Sequence, residues 1–395
     1  MYRHARIENL NARRLLILDT ELKMGGKEKL LYEFIARTDS RRLHISVCCL
    51  KQGGYYKERI RALGVPMCDG LLAHRFDALA FRRFARLLRE SRVDVVETFA
   101  HPNTVIFSFL ARQRRLVPAV VVSHHAMGSA YQHRVLPRSV LPLLRRMDLH
   151  IAVAEVQKRY MVEIEGLPED RIRVIYNGVD TMAYRPGTPD ERSAARRMLG
   201  VPTGGTVLMT VGSLKPLKGI DVLLRAVAPV LRTGDDVRLV LVGEGPDRAA
   251  LETLSRELGV ADRVVFAGLR DDVDAVLRAA DVFVLSSHTE ALPTVILEAA
   301  ASGLPVIATQ VGGVPELVEP GRSAIVVPPG DEGALRGALE RVLSNAPLRA
   351  SLGARGRAIV EERFRIESMC AAREAVFVEL AARFSRGGAP GGMTS

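Results

Sequence analysis

The sequence has 395 residues, of which 48% are hydrophobic and 26% charged, as expected for a globular protein with two domains of ordinary size. Its four cysteines include no CxxC pair, which argues against a zinc site or a disulfide framework. The net charge of +11 is uneven, because residues 1–176 carry +13 and residues 177–395 carry −2, so the first half is expected to meet an anionic surface.

The N-terminal residues 1–14 contain arginines but no apolar segment, so they lack the pattern of a signal peptide. The longest apolar runs, such as 116–122, are far shorter than the roughly 20 residues that span a bilayer. We therefore expect a cytoplasmic location, and the basic first half favours the inner face of the plasma membrane.

Strand-like and helix-like segments alternate along the first half of the chain. The predicted strands are Leu15–Asp19, His44–Leu50, Val93–Thr98, Ala119–Ser123, Ala152–Ala154 and Arg173–Tyr176. Gly25 and Gly26 follow the first strand and precede a helical pattern, a position from which the backbone can approach a phosphate or a sugar. A simple tight turn explains this pair equally well. The alternation predicts a parallel sheet with helical crossovers.

Two basic segments lie in this half, at 81–92 and 134–146. Apolar residues recur in them at helical spacing and arginines fill many of the other positions, as in an amphipathic basic helix. An ordinary surface helix explains either segment alone, but together with the +13 charge they favour peripheral contact with an anionic membrane. Nucleic acid is disfavoured as a partner, because the sequence has no tryptophan and offers no aromatic stacking platform.

Two histidines, His124 and His125, follow the strand predicted at 119–123. Side chains at the carboxyl edge of a parallel sheet face the crevice where such sheets bind ligands. A capping or core histidine is the commoner arrangement, however. Because adjacent residues on a strand point to opposite faces, a shared metal site is disfavoured.

A turn signal at Asn177–Asp180 marks the expected linker between two domains. The alternation then restarts, with strands predicted at Thr206–Val211, Val237–Val242, Arg263–Phe266, Val282–Ser286 and Pro305–Thr309, and helices at Gly219–Leu231, Thr294–Ser302 and Glu361–Phe384. We assign one domain to residues 1–176 and the other to 177–365. A C-terminal helix at about 366–386 and a flexible tail at 387–395 follow.

The loop after the strand at 206–211 contains Gly212, Lys215 and Lys218. Gly212 permits a tight turn or a close approach of the backbone. Lys218, at the start of the next predicted helix, can neutralise a diphosphate in the crevice of an α/β sheet. A lysine after a strand is usually a solvated loop charge, so this prediction depends on the motifs around it.

Two glutamates eight positions apart, Glu290 and Glu298, flank a predicted helix start at Pro293 and Thr294. The unpaired amides of a first helical turn can hold a phosphate. Glu290 would then reach a hydroxyl of the attached sugar, and Glu298 could accept two hydroxyls of a ribose. An isolated pair of this kind is more often a solvated feature of an alanine-rich helix.

The glycine-rich turns do not have the GxGxxG pattern of dinucleotide-binding proteins. Gly25-Gly26 lacks the spacing, and Gly243-x-Gly245 has Arg248 at the position of the third glycine. A dehydrogenase is therefore disfavoured.

These motifs, in this order, resemble those of glycosyltransferase family 4. The matching positions are Gly25-Gly26-x-Glu28, Ser123-x-His125, Asn177-Gly178-Val179-Asp180, Val211-Gly212-x-Leu214, Lys218-Gly219, Gly243-x-Gly245-Pro246, Phe266-x-Gly268, Glu290, Glu298, 299–303, Pro305-Val306-Ile307-Ala308 and Gly312-Gly313-x-x-Glu316. They cover roughly residues 15–365. Each motif is weak alone, whereas the ordered set is highly specific.

The resemblance implies an α/β protein of the GT-B fold, with two Rossmann-like domains whose parallel sheets face an interdomain cleft. The C-terminal helix would cross back to the N-terminal domain. The first domain would bind the acceptor and the second the nucleotide sugar, with closure around the linker. The expected activity is a retaining transfer of a hexosyl group from a nucleoside-diphosphate sugar to a hydroxyl acceptor, with no cofactor and no metal.

The resemblance also implies roles for single residues. His125 and Glu290 would be catalytic, since both would hold the donor sugar near the reacting carbon. The donor would also be bound by Gly26, Gly212, Lys215, Lys218, Leu292, Pro293, Thr294 and Glu298. Gly25 and His124 would lie where the acceptor or the diphosphate approaches.

Two positions depart from the family pattern. Ser213 stands where arginine is common, which removes one cation from the diphosphate unless Lys215 compensates for it. Ala291 stands where glycine is common, and its methyl group narrows the approach to the sugar. Donor affinity and the choice of donor sugar therefore stay open.

The basic, amphipathic first half favours a lipid-linked or cell-envelope saccharide as acceptor, in envelope polysaccharide synthesis. Three alternatives remain: a sugar-nucleotide epimerase of the same fold, a phosphorylase with lysine-bound pyridoxal phosphate, and a non-catalytic protein that binds nucleotide sugars or a membrane surface. The sequence does not specify the donor sugar, its base, the acceptor, the linkage or the oligomeric state.

Overall fold

A computed structural model of the chain describes residues 12–74, 77, 79–127, 137–233 and 236–384. The chain groups into two compact units. Of the described residues, those up to His125, those from 137 to Tyr176 and those from Glu367 onward form the N-terminal unit, and 126–127 and those from Asn177 to Ile366 form the C-terminal unit. The predicted tail at 387–395 and the first residues of the basic segment 134–146 lie outside the described residues.

The N-terminal unit contains a seven-stranded sheet with parallel pairing throughout. Its strands are β1 (Arg13–Asp19), β2 (Leu43–Cys49), β3 (Met67–Cys68), β4 (Val95–Phe99), β5 (Ala119–Ser123), β6 (Leu149–Ala152) and β7 (Ile172–Val174). Their order is β3-β2-β1-β4-β5-β6-β7. Because the order reverses between β1 and β4, the carboxyl ends of these two strands border the crevice where such sheets bind ligands.

Helices connect these strands. They are α1 (Gly26–Arg37), α2 (Tyr56–Ala62), α3 (Ala80–Ser91), α4 (Pro102–Gln113), α5 (Leu141–Leu144) and α6 (Glu155–Glu163). The central strands are mostly apolar runs, with Glu97 and Thr98 of β4 as buried exceptions, and all five residues of β5 are buried. Such runs are required where helices cover both faces of a parallel sheet.

The C-terminal unit repeats this architecture with six strands. They are β8 (Thr206–Val211), β9 (Val237–Val242), β10 (Val264–Gly268), β11 (Val282–Leu285), β12 (Val306–Thr309) and β13 (Ala324–Val327), in the order β10-β9-β8-β11-β12-β13. The order reverses between β8 and β11. Two Rossmann-like units with parallel sheets confirm the predicted α/β fold class.

The helices of the second half begin with α7 (Pro189–Met198), α8 (Ile220–Thr233), α9 (Arg248–Glu257), α10 (Val273–Leu277) and α11 (Thr294–Ala301). They continue with α12 (Val314–Leu317), α13 (Glu332–Leu343), α14 (Ala346–Arg363) and α15 (Ile366–Arg383). Residues from Glu367 onward group with the N-terminal unit, so α15 returns to it as predicted. Within the described ranges, no helix is long and apolar enough to cross a membrane.

The prediction of one continuous helix at 361–384 is wrong at one point, because the helix is interrupted there. α14 ends at Arg363 and α15 begins at Ile366. The backbone between them pairs with the linker: Val179 N donates to Phe364 O at 2.9 Å, and Ile366 N donates to Val179 O at 3.0 Å. A distant backbone therefore takes the hydrogen bonds that would have continued the helix.

Three strands also differ from the prediction. The strand predicted at 152–154 lies at Leu149–Ala152, and the short edge strands β3 and β13 were not predicted. Val153 and Ala154 stay buried after the sheet hydrogen bonds end, so apolar character does not mark the end of β6. A two-residue strand such as β3 is too short to show a periodic pattern.

Candidate functional site

The structure brings two predicted residues of the C-terminal unit into direct contact. Lys218 Nζ lies 2.6 Å from Glu290 Oε1, and Ser287 Oγ donates to the same oxygen at 2.6 Å. The Glu290 side chain is 12% exposed and that of Lys218 is 22% exposed, so the pair is largely screened from solvent. The cation predicted for a diphosphate and the carboxylate predicted for a sugar thus form one ion pair.

The loop that carries Glu290 is fixed to the loop that carries Lys218. Ser286 Oγ donates to Lys218 O at 3.0 Å, and His288 N donates to Leu217 O at 2.8 Å. Gly219 has φ +58°, and a Cβ atom there would lie 2.3 Å from Ser286 O. Only glycine permits this backbone conformation and this approach. The Lys218–Gly219 motif therefore sets the spacing between the two loops.

A second glycine fixes the other side of the Glu290 loop. Gly312 has φ +48°, and a Cβ atom at this position would lie 1.8 Å from Glu290 O. Its neighbour Gly313 donates from its backbone N to Ala291 O at 2.8 Å. The methyl group of Ala291 is itself buried, since the residue is 5% exposed. These contacts give the Gly312-Gly313 motif a structural role in holding the Glu290 backbone.

The predicted position of Lys218 at a helix start is wrong. Pro216–Lys218 forms a single 3₁₀ turn, and α8 begins after it at Ile220. Proline favours the start of such a turn, and the left-handed Gly219 ends it. Lys215 precedes the turn and is exposed. A Cβ atom on Gly212 would meet only Lys218 Cε, at 3.9 Å, so open space lies beside this glycine.

Helix α11 follows Glu290 and has the start that the sequence predicts, at Thr294. Pro293 is the N-cap residue and makes no side-chain hydrogen bond to the first turn, so the first-turn amides have no side-chain cap. Leu292 is buried, and its carbonyl accepts a hydrogen bond from Asn177 Nδ2 at 3.1 Å. Glu298 lies one turn into the helix and is 6% exposed. Its contact with a ribose stays a prediction.

In the N-terminal unit, His125 and the start of α1 meet at Phe99, the last residue of β4. The His125 ring packs on the Phe99 ring with centroids 5.6 Å apart, and Lys27 Nζ lies 4.4 Å from the centre of the same ring. Burial, with the cations Arg373 and Lys27 nearby, lowers the pKa of His125 to about 3. His125 is therefore neutral at physiological pH and can donate one hydrogen bond and accept another.

His124 does not lie where an acceptor could approach it from solvent, because it is 4% exposed. Its Nε2 is 3.1 Å from His150 Nδ1, and His150 Nε2 is 3.1 Å from Leu144 O. The carbonyl can only accept, so His150 donates from Nε2 and accepts from His124 at Nδ1. The predicted role of His124 in acceptor approach is therefore replaced by a structural one inside the sheet.

Gly25 is the N-cap residue of α1 and Gly26 is its first residue. The φ of Gly25 is −174°, an extended conformation that any residue adopts, but a Cβ atom there would lie 2.5 Å from Glu28 Oε2. Lys27 bonds Asp19 at 2.6 Å and lies 3.2 Å from Glu28. The predicted approach of a ligand at Gly25-Gly26 would thus meet Glu28 and Lys27 as well as backbone.

Sequence reasoning missed several residues of these two groups. Asp19 and Phe99 end β1 and β4, the two strands at which the sheet order reverses, so their positions at carboxyl strand ends could have indicated them. Ser287 follows β11 and resembles any loop serine, so no signal in the sequence singles it out. Within the described residues, no group of three or more His, Cys, Asp or Glu could hold a metal ion.

Two family models match the chain. The model described as Glycosyltransferase Family 4 matches residues 24–182, and the model described as Glycosyl transferases group 1 matches residues 191–359. Together they cover most of both units and most residues of the two groups described above, but not Asp19, which precedes the first match, nor Arg373, which follows the second.

Curated relatives include the D-inositol 3-phosphate glycosyltransferases of Acidothermus cellulolyticus, 40% identical over 208 residues, and of Saccharomonospora viridis, 35% identical over 264 residues. The aligned segments cover 50% and 62% of this chain. They cover 45% and 61% of the two relatives, so the chain spans about half to three fifths of the length of the proteins it matches.

Solved structures match over nearly the whole chain. HepE of Anabaena in complex with UDP-glucose has a TM-score of 0.82 at 23% identity, covering 93% of this chain and 99% of that chain. A glycosyltransferase of Rickettsia africae has a TM-score of 0.81 at 18% identity, covering 94% and 99%. At this level of identity the likeness concerns the fold, and it confirms the predicted GT-B fold.

Proposed function

Because this chain belongs to glycosyltransferase family 4, we propose that it transfers a hexosyl group from a nucleoside-diphosphate sugar to a hydroxyl acceptor, with retention of configuration. The observation that carries this proposal is the group formed by Lys218, Glu290 and Ser287. It places a cation and a carboxylate 2.6 Å apart, just before the uncapped start of α11. A diphosphate needs the cation and the helix amides, and a sugar hydroxyl needs the carboxylate.

The C-terminal unit would hold the donor through these groups. Lys218 and the first-turn amides of α11 would stabilise the charge that develops on the leaving nucleoside diphosphate. Glu290 would accept a hydrogen bond from a donor-sugar hydroxyl, and Glu298 would hold the ribose. Lys215, exposed one turn earlier, would supply the second cation that Ser213 does not. Gly212 would let the diphosphate lie beside the backbone, in the open space at this glycine.

His125 would hydrogen-bond the donor sugar in its neutral form. A cationic imidazole would oppose the oxocarbenium-like charge of the reacting sugar, whereas a neutral ring can accept or donate without adding charge. The lowered pKa of about 3 keeps His125 neutral across the physiological range. The acceptor would attack on the face from which the diphosphate leaves, and the leaving phosphate would take the acceptor proton. This step uses no metal and no cofactor.

The acceptor is proposed to be a lipid-linked or cell-envelope saccharide. The +13 charge of residues 1–176 supports an acceptor or a surface that is anionic. The D-inositol 3-phosphate glycosyltransferases that match this chain act on a phosphorylated cyclitol by name, so inositol phosphate is the second acceptor to test. The complex of HepE with UDP-glucose makes this nucleotide sugar the first donor to test.

The proposed function is tested by thermal unfolding of the purified protein with a panel of sugar nucleotides and free nucleoside diphosphates. We expect one nucleotide series to raise the melting temperature, because a ligand that binds only the folded state stabilises it. The same series should then support transfer to an added acceptor. Folded protein that responds to no nucleotide, with or without acceptor and vesicles, would contradict the donor-site proposal.

Donor analysis, absorbance and transfer assays on the same purified protein separate the alternatives. An epimerase would alter the donor sugar when no acceptor is present. A phosphorylase would show the absorbance of a lysine-bound pyridoxal phosphate. A non-catalytic binding protein would shift its melting temperature with the nucleotide sugar but transfer nothing to any acceptor.

Membrane contact through α3 is a further part of the proposal. Arg82, Arg86 and Arg89 are exposed on this helix, and Phe81 packs against Phe107 of α4 on its other side. Exposed cations near an anionic bilayer each contribute about 1 kcal/mol to binding. Changing all three arginines to glutamine is therefore expected to weaken binding to phosphatidylserine vesicles about 100-fold at low salt, measured by flotation.

A matched control changes Arg225, Arg336 and Arg341 to glutamine, which removes the same charge from exposed positions of the C-terminal unit. We expect the control to bind vesicles nearly as the unaltered protein does. Equal losses in both variants would indicate a net-charge effect, and no flotation of the unaltered protein would reject the membrane contact.

A further inference from the structure

We infer that Ser287 is a positioning residue that holds the Glu290 carboxylate in the orientation needed for sugar transfer, an assignment that rests on the proposed function. Ser287 is fully buried, at 0% exposure, in the loop after β11. Its hydroxyl donates to Glu290 Oε1 at 2.6 Å. It neither belongs to the matched motifs nor makes a described contact with Lys218.

The Ser287 backbone is itself held from the neighbouring strand. Thr309, the last residue of β12, donates from Oγ1 to Ser287 O at 2.6 Å, and Thr309 is 2% exposed. The hydroxyl of Ser287 is thus attached to the sheet rather than to a free loop. A buried, anchored donor restricts the carboxylate more than a solvated one would, because its own freedom is already lost.

Both described donors to Glu290, the Ser287 hydroxyl and the Lys218 ammonium, reach the same oxygen, Oε1. Two donors use the two lone pairs of that oxygen. In the part of the chain that the structure describes, no side chain donates to Oε2. This oxygen is therefore the one that would accept a hydroxyl of the donor sugar.

The hydrogen bonds of Ser287 and Lys218 to Glu290 would respond differently to binding of the nucleotide sugar. The Lys218 ammonium is a cation and is drawn toward an incoming diphosphate, which weakens its hold on Glu290. The Ser287 hydroxyl is neutral and stays bonded to Oε1. Ser287 would thus keep the Glu290 carboxylate in place while Lys218 contacts the diphosphate.

Replacing Ser287 by alanine tests the assignment. We expect kcat to fall about 10–150-fold, since a hydrogen bond to a charged group contributes about 1.5–3 kcal/mol. The donor KM and the thermal shift produced by the free nucleoside diphosphate should stay within about twofold, because the described hydrogen bond of the Ser287 hydroxyl goes to Glu290 and not to Lys218, the residue proposed to bind the diphosphate. A purely structural role would instead lower the melting temperature and impair diphosphate binding along with kcat.

The matched control is Ser255→Ala. Ser255 is also a buried serine, 2% exposed, and its hydroxyl donates to one carbonyl, Glu252 O, at 2.8 Å. It lies on α9 and takes no part in the proposed site. We expect kcat and KM of this variant to match those of the unaltered protein. If Ser287→Ala does not fold, Ser287→Cys nearly keeps the volume with a weaker donor, and it should give an intermediate kcat.

A double-mutant cycle identifies the residue through which Ser287 acts. In a Glu290→Ala background, adding Ser287→Ala should lower kcat by less than about a further twofold, because the carboxylate that Ser287 positions is gone. An undiminished loss in that background, or a Ser287→Ala variant with full kcat, would overturn the assignment while the proposed function stands. An unaltered protein that transfers no sugar from any donor would overturn the proposed function, and this assignment with it.

Discussion

Glu290→Ala is expected to lower kcat by about 10²–10³-fold, the effect of removing one preorganised polar contact at a reacting centre. The carboxylate would no longer fix the donor sugar, so the sugar would lose the orientation that displacement at the anomeric carbon requires. Binding of the nucleoside diphosphate should not weaken, because Lys218 would lose its partner at 2.6 Å and be free for the phosphate. Steady-state transfer assays and calorimetry with the free diphosphate measure the two effects separately.

The control is Glu319→Ala in the same unit. Glu319 also pairs with a cation, Arg355, and its side chain is 32% exposed. This variant loses a carboxylate and an ion pair outside the proposed site, so we expect its kcat to be unchanged. A Glu290→Ala variant that turns over within a fewfold of the unaltered protein would remove Glu290 from the catalytic residues, and the site assignment with it.

Arg373→Met is expected to lower the free energy of unfolding of the N-terminal unit by about 3–5 kcal/mol, the cost of leaving a buried charge without its partner. Arg373, on α15, donates to Glu97 Oε1, and Glu97 on β4 is 0% exposed. The Ser123 hydroxyl reaches the same oxygen at 2.5 Å but carries no charge to compensate the carboxylate. The loss should therefore exceed that of any exposed ion pair on this helix.

Methionine keeps most of the packing of the arginine side chain, whose guanidinium lies 4.9 Å from the centre of the Phe34 ring. Arg383→Met, at the exposed end of the same helix, is the matched control and should change stability by less than about 1 kcal/mol. Urea unfolding followed by limited proteolysis reports each unit, since a two-domain chain need not unfold in one step. A stable Arg373→Met variant would show that the Glu97 carboxylate has another source of compensation.

The sequence predicted the two groups of candidate residues, one in each unit, to different extents. Lys218 and Glu290 were singled out by the ordered set of motifs around them, because a charged residue after a strand is by itself usually solvated. The structure joins them in an ion pair, which the spacing alone does not show. The family motif Ser123-x-His125 favoured His125 over His124. The structure adds what each ring contacts: His124 bonds His150 inside the sheet, and His125 packs on Phe99.

Local pattern determined the fold class and most of the elements. The strands at 119–123, 206–211 and 237–242 lie where the sequence predicts them, because each is a short and mainly apolar segment. The sequence also shows where the glycine motifs lie, but not why glycine is required at these positions. Gly219 and Gly312 are required because distant carbonyl oxygens, those of Ser286 and Glu290, lie within 2.3 Å of where a Cβ atom would be.

The sequence by itself determined the alternation of strands and helices, the two Rossmann-like units and the family motifs, since these depend on apolar periodicity and on residues close in the chain. Tertiary structure alone decided that Arg373 neutralises Glu97, that the linker interrupts the C-terminal helix, and that Ser287 and Lys218 share one oxygen of Glu290. The physical reason for the first contact, and for the arrival of Lys218 at Glu290, is separation: these partners lie 276 and 72 residues apart, so no local pattern indicates that they meet. Ser287 is only three residues from Glu290, but the direction of its hydroxyl depends on how the buried loop packs.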